Sequence, residues 1–408
     1  MTSLTEFFNK HEDDALKGIS HKNSIIKRNI IAYMAVNGEC TLSELTKELH
    51  ISVPTITKLV QELVDENIVT DLGKVETPGG RRPNIFGLAN SAIYFAGVNV
   101  GRDNMTFLIT DLQNNIIKEE YDYTFELQDR PQCFERICSN IENFIATCGI
   151  DRGKILGLGV CMTGRVNPDT GRSYKYFTSS EQSLRDLLEE RVGIRVLLEN
   201  DTRARCYAEY TCGKSKDESN VLYLHMGRGV AIGIVVDGQL YYGKSGFAGE
   251  FGHVIVERNG RECGCGRRGC LETYVSATGI KRTAFELMAK MNAPSKLRSI
   301  AFDDFDASMI SAAAEQGDPI ALEAFRYTGE MLGRALADVV TVTSPQAIFL
   351  FGGLSKAGKL IFEPTQWYME ENMLFVFKNK VKLLPSGIQG KNAAILGASA
   401  LIWQEENK

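Results

Sequence analysis

Hydrophobic residues recur at helical spacing in three successive segments near the start of the chain. In the first segment, Ile26, Ile30, Tyr33 and Met34 share one helix face, and Asn37-Gly38 ends the run. In the second segment, the spacing of the residues predicts a helix that begins with a capping box, because Glu44 follows Thr41 by three residues. Its apolar stripe consists of Leu42, Leu45 and Leu49.

The third segment has the most regular apolar face of the three. Ser52 is expected to cap this helix, and Pro54 suits its first turn. The apolar face consists of Ile56, Leu59, Val60, Leu63 and Val64. Because only His50-Ile51 separates this helix from the preceding one, the two predict a helix-turn-helix.

The later helix presents small hydroxyl groups and one lysine away from its apolar face, as a helix that enters a DNA groove does. The predicted DNA contacts on it are Ser52, Thr55, Thr57 and Lys58. A β-wing is predicted to follow, with strands at 68–69 and 85–86 and a stiff tip at 78–83. At the tip, Arg81 and Arg82 are predicted to contact a minor groove, where arginine is favoured.

The local charge of this segment does not decide whether it binds DNA or another protein. Residues 20–90 include eight basic and eight acidic side chains. A three-helix module that binds another protein therefore stays open as the alternative to a winged helix-turn-helix.

From about residue 91, short β-rich runs alternate with helical stretches, which predicts an α/β architecture. The expected strands are 94–100, 106–110, 155–161, 196–198, 221–226, 231–236, 347–351 and 381–384. The hairpin pattern of 97–110 recurs at 223–236, which suggests two related lobes with a cleft between them.

Three cysteines and a histidine are crowded into one glycine-rich run. His253, Cys263, Cys265 and Cys270 have the spacing H-x9-C-x-C-x4-C. Three thiolates and one imidazole form a closed tetrahedral zinc shell, so we predict a structural Zn2+ ion with no open position for catalysis. The alternative is three free surface cysteines beside an unrelated histidine. The other cysteines are scattered, so no disulfide scaffold is expected.

Composition excludes several classes of protein. With 408 residues, 44% of them hydrophobic and 24% charged, the chain is neither disordered nor fibrous. We expect a cytoplasmic protein without membrane contact, because no apolar run approaches the roughly 20 residues of a membrane span and the start lacks the pattern of a secretion signal. The net charge of -5 argues against a nucleic-acid partner only if the charge is spread evenly over the chain.

The run Glu250-Phe251-Gly252-His253, followed by C-G-C-G-R-R-G-C-L-E, closely resembles the motif of the ROK family, which groups sugar-responsive repressors with sugar kinases. The resemblance covers nearly the whole chain. Further motifs in family order are Gly164-Arg165-Val166-Asn167-Pro168 with Gly171, Asn200-Asp201, Ala208-Glu209 and Gly352-Gly353.

The resemblance implies a fold and a domain organisation. It implies that the α/β body at 91–408 has the two-lobed, actin-like ATPase (ribonuclease H-like) architecture. Before this body, the spacing of the residues predicts the winged helix-turn-helix domain at 21–90, and residues 1–20, which show no sustained period, are expected to form a mobile arm. One lobe comprises about 91–200 with the C-terminal helix, and the other comprises about 201–390.

The resemblance also implies a sugar site with five residues of the expected types: Asn200, Asp201, Glu250, His253 and Glu272. Carboxylates and an amide bind neighbouring hydroxyls in pairs, and His253 would bind zinc with one nitrogen and sugar with the other. In the family's kinases, the residue that matches Asp201 is the general base. Apart from the resemblance, these acidic residues would be ordinary solvated loop residues.

The predicted nucleotide side departs from the family pattern. A phosphate turn that reads D-x-G-G-T in the family is here Asn99-Val100-Gly101-Arg102-Asp103, and G-T-G is Gly227-Arg228-Gly229. A triple glycine near the adenosine becomes Phe351-Gly352-Gly353. Because Mg2+ and phosphates need the carboxylate and the small turns, ATP and Mg2+ are not expected as cofactors.

These features predict a sugar-responsive transcriptional repressor that binds a palindromic operator as a homodimer or a dimer of dimers. A sugar or sugar phosphate that closes the cleft would alter operator binding. Two alternatives remain. One is an ATP-dependent hexose or amino-sugar kinase with an appended DNA-binding domain, and the other is a regulator controlled by a protein partner instead of a sugar.

Overall fold

The N-terminal region forms helices around a small antiparallel sheet. A computed structural model describes residues 19–74, 83–89, 91–213, 218–388 and 392–406. The helices here are α1 (Ile19–Asn37), α2 (Leu42–Leu49) and α3 (Val53–Asp65). The strands are β1 (Cys40–Thr41), β2 (Val69–Lys74) and β3 (Asn84–Leu88), in the order β1-β3-β2. The antiparallel pair of β2 and β3 confirms the predicted wing strands, whereas Arg81 and Arg82 lie outside the described residues.

The start signals of α2 and α3 behave differently. At α2 the capping box is confirmed, because Glu44 N donates to Thr41 Oγ1 at 3.2 Å and Thr41 N donates to Glu44 Oε2 at 2.7 Å. Ser52 occupies the N-cap position of α3, but the prediction that it caps the helix is wrong. Its hydroxyl is instead 2.9 Å from Thr55 Oγ1, so it bonds a side chain rather than a backbone N–H.

The core of this region is built mainly from α1 and α3. Its fully buried side chains include Ile30, Ile31, Ile56, Leu59 and Leu63. Of the predicted leucine stripe on α2, only Leu45 is buried, and Leu42 and Leu49 are half-buried. The short α2 therefore contributes one main core contact.

Two compact units make up the chain, and the first comprises residues up to Arg205 together with those from 391 onward. Its larger sheet has the order β10-β7-β4-β5-β6. These strands are β4 (Tyr94–Val100), β5 (Met105–Asp111), β6 (Ile116–Asp122), β7 (Ile155–Met162) and β10 (Val196–Asn200), and β8 (Val166–Asn167) pairs with β9 (Arg172–Ser173) in a short hairpin.

Helices cover this sheet. They are α4 (Pro131–Thr147), α5 (Leu184–Val192) and the C-terminal helix (Ala393–Glu406). The C-terminal helix packs against β4 and β7 at very close range, since a Cβ atom on Gly97 would lie 2.0 Å from Ile395 Cγ2. The glycine in β4 is therefore needed for this packing.

The second unit comprises residues 206–390 and contains a sheet of order β13-β12-β11-β14-β15. Its strands are β11 (Val221–Met226), β12 (Val230–Val236), β13 (Gln239–Leu240), β14 (Ala347–Phe351) and β15 (Lys382–Pro385). Helix α6 (Asp201–Cys212) crosses the division between the units. The helices that follow are α7 (Glu272–Val275), α8 (Ala277–Lys290), α9 (Ala307–Glu315), α10 (Pro319–Thr343) and α11 (Lys359–Asn372).

The two large sheets share one connection order. In each, a three-stranded antiparallel meander is followed by two strands that extend the sheet in parallel from the first strand of the meander. In the first sheet, β4 pairs antiparallel with β5 and parallel with β7. In the second, β11 pairs antiparallel with β12 and parallel with β14. This topology confirms the internal repeat inferred from 97–110 and 223–236. All eight strands expected from the sequence are present, with ends shifted by at most two residues.

Strand β6 was not predicted, because every residue in it is exposed or half-buried and its centre is charged. Across the described ranges, no helix is long and apolar enough to span a membrane.

Candidate functional site

The clearest site in the structure is a cluster of one histidine and three cysteines in the second unit. His253, Cys263, Cys265 and Cys270 bring their ligand atoms within 4.8 Å of one another. His253 Nδ1 is 3.7 Å from Cys263 Sγ, and the Sγ atoms of Cys265 and Cys270 are also 3.7 Å apart. The structure therefore brings together all four residues that the sequence singled out.

The spacing of these atoms fits a tetrahedral ion. Two ligand atoms bonded to zinc at about 2.0–2.3 Å lie roughly 3.5–3.8 Å apart in a tetrahedron. Three sulfurs and one imidazole nitrogen are also donors that zinc accepts. We call this quartet the Cys3His cluster.

The three thiols of the Cys3His cluster differ in how readily they lose a proton. Burial raises the pKa of Cys270 to about 12, and the neighbouring thiols contribute. The pKa of Cys265 is also raised by burial, but hydrogen bonds from Arg267 outweigh this and lower it to about 6. A bound divalent cation favours the thiolate form of all three cysteines.

The loop around the cluster is held by backbone bridges and by an arginine. Isolated bridges pair Ile255 with Cys270 and Glu262 with Arg268. Sequence reasoning missed Arg267 in this loop: its guanidinium donates to the carbonyl of His253 at 2.9 Å, and its own carbonyl accepts from Cys263 N at 2.9 Å. The run C-G-R-R-G draws attention to two arginines, but the sequence does not indicate which group an arginine among glycines will contact.

Two predicted sugar-binding carboxylates adjoin the cluster. His253 Nε2, the nitrogen that faces away from the thiols, is 3.8 Å from Glu250 Oε2. Glu272 follows Cys270 by two residues and starts α7, and its Oε2 accepts from Val230 N at 3.0 Å. One loop, residues 250–272, therefore carries the Cys3His cluster together with Glu250 and Glu272, and we call it the metal loop after the ion that the cluster could hold.

The other two predicted sugar residues belong to the first unit, at the junction of β10 and α6. Asn200 Nδ2 donates to the carbonyl of Gly164 at 2.8 Å, and its Oδ1 accepts from Thr202 N at 3.0 Å. Burial raises the pKa of Asp201 above its ordinary value, although Arg205 and the Thr202 N–H oppose that rise. Asn200 is therefore fixed in place by backbone groups, and Asp201 is a carboxylate in a poorly solvated position.

A buried ion pair behind this junction was not expected from the sequence. The side chains of Glu199 and Arg203 are 0% and 5% exposed, with Arg203 Nη2 2.7 Å from Glu199 Oε1. Arg203 also donates to the carbonyl of Val166 at 2.7 Å, which ties α6 to the β8–β9 hairpin. The i, i+4 spacing of this pair is common on helix surfaces, so it gave no sign of burial.

The predicted DNA face of α3 is accessible. Ser52, Thr57 and Lys58 are exposed and Thr55 is half-buried. Lys58 Nζ lies 3.8 Å from Glu62 Oε1, a long contact between exposed groups that costs little to exchange for a phosphate.

At the turns that bind phosphate in the family's kinases, bulky or neutral side chains are present. Asn99 near the end of β4 is 8% exposed, and within the described part of the chain its Oδ1 has no hydrogen-bond partner. In the second unit, the ring of His225 stacks on Phe351 with centroids 5.1 Å apart. A Cβ atom on Gly227 would lie only 2.8 Å from His225 Nε2, so this stack fills the space beside the second glycine turn.

Comparisons with known proteins agree with this architecture. The model of the ROK family matches residues 95–405, and a model of winged helix-turn-helix DNA-binding domains matches residues 24–70. A xylose repressor from Bacillus spizizenii is 27% identical over 369 residues, covering 90% of this chain and 91% of that protein.

Solved structures extend the agreement to three dimensions. The crystal structure of a ROK family transcriptional regulator, a homologue of the E. coli MLC protein, aligns with a TM-score of 0.81 and 26% identity, covering 95% of this chain and 97% of its own. A ROK family glucokinase from Streptomyces griseus, crystallised with glucose and AMPPNP, aligns with a TM-score of 0.65 and 27% identity over 76% of this chain and 99% of its own. These findings confirm the predicted fold class, a winged helix-turn-helix followed by an α/β body.

Proposed function

The chain belongs to the ROK family, and from this membership we propose that it is a sugar-responsive transcriptional repressor. One observation carries the proposal: the ROK transcriptional regulator matches 95% of this chain, whereas the ROK glucokinase matches 76% of it. The part of the chain that precedes the ROK match at 95–405 includes the helix-turn-helix match at 24–70. A helix-turn-helix with an accessible later helix binds DNA in the major groove.

The effector in this proposal is a sugar or sugar phosphate. The residues that we propose to bind it are Asn200, Asp201, Glu250, His253 and Glu272, which offer amide, carboxylate and imidazole groups to hydroxyls. The relative named above is a xylose repressor and the glucokinase holds glucose, so the family context supports a monosaccharide and leaves its identity to experiment.

Zinc is the metal we propose for the Cys3His cluster. His253, Cys263, Cys265 and Cys270 would hold it, and it would supply a fixed cross-link for the loop that carries Glu250 and Glu272. With four protein ligands the ion has no open position, so its role is structural.

The proposal also includes a homodimer and a cytoplasmic location. Two helix-turn-helix domains read the half-sites of a palindromic operator, and genomic DNA in bacteria lies in the cytoplasm. Arg81 and Arg82 of the wing tip are proposed as minor-groove contacts. Ser52, Thr55, Thr57 and Lys58 of α3 are proposed as contacts at the major groove.

The test combines a sugar screen with DNA binding. Full-length protein is heated with a panel of pentoses, hexoses, amino sugars and their phosphates, and the compound that raises the unfolding temperature is added to a gel-shift titration on DNA from the protein's own promoter region. We expect a sequence-specific complex whose affinity changes with that sugar. A protein that forms no such complex at moderate salt, with or without sugars, is not a repressor.

The kinase alternative is tested on the same preparation. ADP release is followed over the sugar panel with ATP and Mg2+, using Asp201→Asn as the control. We expect background rates and no ATP-induced thermal shift, because Asn99 and the His225–Phe351 stack occupy the phosphate turns. Turnover that disappears in Asp201→Asn would make the protein a sugar kinase.

A further inference from the structure

The hydroxyl groups on the exposed face of α3 are already engaged within the helix. Ser52 Oγ and Thr55 Oγ1 are 2.9 Å apart and bond one another. Thr57 Oγ1 donates its hydrogen to the carbonyl of Val53 at 2.8 Å, one turn back along the helix. The Thr57 hydroxyl has used its single hydrogen in this way, so it can no longer donate to guanine N7 or O6 or to thymine O4. Of Ser52 and Thr55, only the hydroxyl that accepts their shared bond keeps a hydrogen to donate.

The apolar part of this face is exposed instead. Val53, the first residue of α3, is 55% exposed, although valine usually packs inside. The core side of the helix is complete without it, since Ile56, Leu59, Val60 and Leu63 are buried there. Thr57 lies four residues later on the same face, and with its hydroxyl turned back onto the backbone, its methyl group is left to meet a partner.

Resting on the proposed function, we propose that Val53 and Thr57 determine operator specificity by contacting the 5-methyl groups of thymine in the major groove. The N-terminal residues of a recognition helix are the ones that contact base edges. Thymine is the base that presents an apolar group in the major groove, and small apolar side chains recognise it. Val53 was not among the DNA contacts predicted from the sequence, which were chosen for their hydroxyl groups.

This assignment gives the neighbouring side chains different tasks. Lys58 is exposed and its ammonium group lies 3.8 Å from Glu62, so it contributes a charge that suits phosphate rather than a base edge. The bond between Ser52 and Thr55 orders the first turn of α3, which contains Val53. The operator half-site is therefore expected to contain thymines at fixed positions under the start of α3.

The test removes single methyl groups from the DNA. A duplex is first selected from a random library by the full-length protein, and each thymine of the half-site is then replaced in turn by uracil, which lacks only the 5-methyl group. We expect about a fourfold loss of affinity at one or two positions, as burial of one methyl-sized group predicts, and no change elsewhere.

Matched protein variants identify the side chains. Thr57→Val keeps both branches and removes the hydroxyl, whereas Thr57→Ser keeps the hydroxyl and removes the methyl. We expect Thr57→Ser to bind the selected duplex several-fold more weakly than Thr57→Val does. Val53→Ala should bind the selected duplex more weakly. At the thymine that Val53 contacts, replacement by uracil should then have no further effect, because the 5-methyl group of that thymine has already lost its partner on the protein.

Lys58→Ala serves as the control, and it is expected to weaken binding to all duplexes while leaving the thymine-to-uracil effect intact. Unfolding temperatures and far-ultraviolet circular dichroism verify that each variant is folded. If Thr57→Val loses affinity and Thr57→Ser does not, or if uracil is tolerated at every position, methyl recognition is wrong while DNA binding stands. If selection yields no specific duplex, it is the proposed function that fails.

Discussion

Asn200 and Asp201 are neighbours in sequence with different physical constraints. The amide of Asn200 is held by Gly164 and Thr202, so its geometry is set by backbone groups. The carboxylate of Asp201 has a raised pKa, because burial disfavours its charged form more than Arg205 favours it. Its ionised form therefore opposes folding at neutral pH.

We expect Asp201→Asn to raise the unfolding temperature at pH 7. A carboxyl whose pKa is higher in the folded state than its ordinary value of about 3.9 contributes stability when protonated, and this is lost as the pH rises through the folded pKa. The advantage of asparagine should shrink toward pH 4, where the wild-type carboxyl binds its proton. Calorimetry between pH 4 and 8 measures this difference.

Asp169→Asn is the matched control for that experiment, since Asp169 is an exposed aspartate on the same unit. It should change the unfolding temperature at pH 7 less than Asp201→Asn does. A lower unfolding temperature for Asp201→Asn at pH 7 would mean that attraction to Arg205 outweighs the burial of the carboxylate.

Replacing one sulfur atom, that of Cys265, tests whether the Cys3His cluster binds zinc. Cys265→Ser removes one of four ligands, so zinc affinity should fall by at least the 10–100-fold that accompanies loss of an outer-shell partner. Metal binding and folding are coupled, so the unfolding temperature should fall too, and the sugar-induced shift should weaken because the loop carries Glu250 and Glu272.

Zinc content by a chromogenic chelator, read beside thermal unfolding, measures both effects. Cys148→Ser is the control, because this half-buried cysteine lies far along the chain from the cluster and donates to the carbonyl of Ile145, as serine can. A Cys265→Ser protein that releases zinc and responds to sugar as before would contradict the coupling between the metal loop and the sugar residues.

At the scale of elements, two glycines of the metal loop separate the effect of backbone conformation from the effect of close packing. Gly266 and Gly269 both have positive φ, at 86° and 77°. A Cβ on Gly266 meets nothing within 4 Å, but a Cβ on Gly269 would lie 1.7 Å from the carbonyl oxygen of Glu257. The carbonyl of Gly269 also accepts from Val256 N at 2.9 Å, so this position ties the loop together.

We expect Gly266→Ala to lower the free energy of unfolding by about 1–2 kcal/mol, the cost of a left-handed non-glycine residue. Gly269→Ala should lower it by more and release zinc at lower chelator concentrations, since the loop must open to admit the methyl group. Equal effects of the two variants would show that backbone conformation alone matters and that the contact with Glu257 is relieved at no cost.

The elements differ in how far their sequences predict them. Apolar periodicity located α1, α3 and the buried strands, because their faces are buried against a core. It failed for β6, whose residues are all exposed or half-buried, and for Leu42 and Leu49, since pattern does not tell how much of a face the core covers. The Cys3His cluster was predictable because few residues combine three thiols and an imidazole at that spacing.

The residues that organise the site were not predictable in this way. The guanidinium of Arg267 donates to a backbone carbonyl, and Arg203 forms a buried ion pair with Glu199. The local spacing of residues predicts neither the partner of such a side chain nor its burial. The same limit applied to Ser52 and Thr57: their hydroxyl groups suggested base contacts, but the structure engages them within the helix.

At the scale of the whole molecule, a net charge of -5 is compatible with DNA binding because charge acts locally. Lys58 lies on the accessible face of α3, and screening over about 10 Å at 0.1 M salt separates it from acidic groups elsewhere. The charge of the chain therefore bears on solubility, and the affinity for an operator depends on the few groups placed at the groove.

If a sugar changes the affinity of this protein for operator DNA, operator DNA must also change its affinity for the sugar. If it changes the affinity for operator DNA by some factor, operator DNA changes the affinity for the sugar by the same factor, because the two bindings share one thermodynamic cycle. Typical couplings correspond to 5–150-fold. We expect sugar titrations with and without saturating operator duplex to differ by the ratio measured in the gel shift, and a duplex with a scrambled half-site to cause no difference. A sugar that alters DNA affinity while DNA leaves sugar affinity unchanged would have to act outside this cycle, for example by changing the oligomeric state, and titrations at two protein concentrations would reveal that.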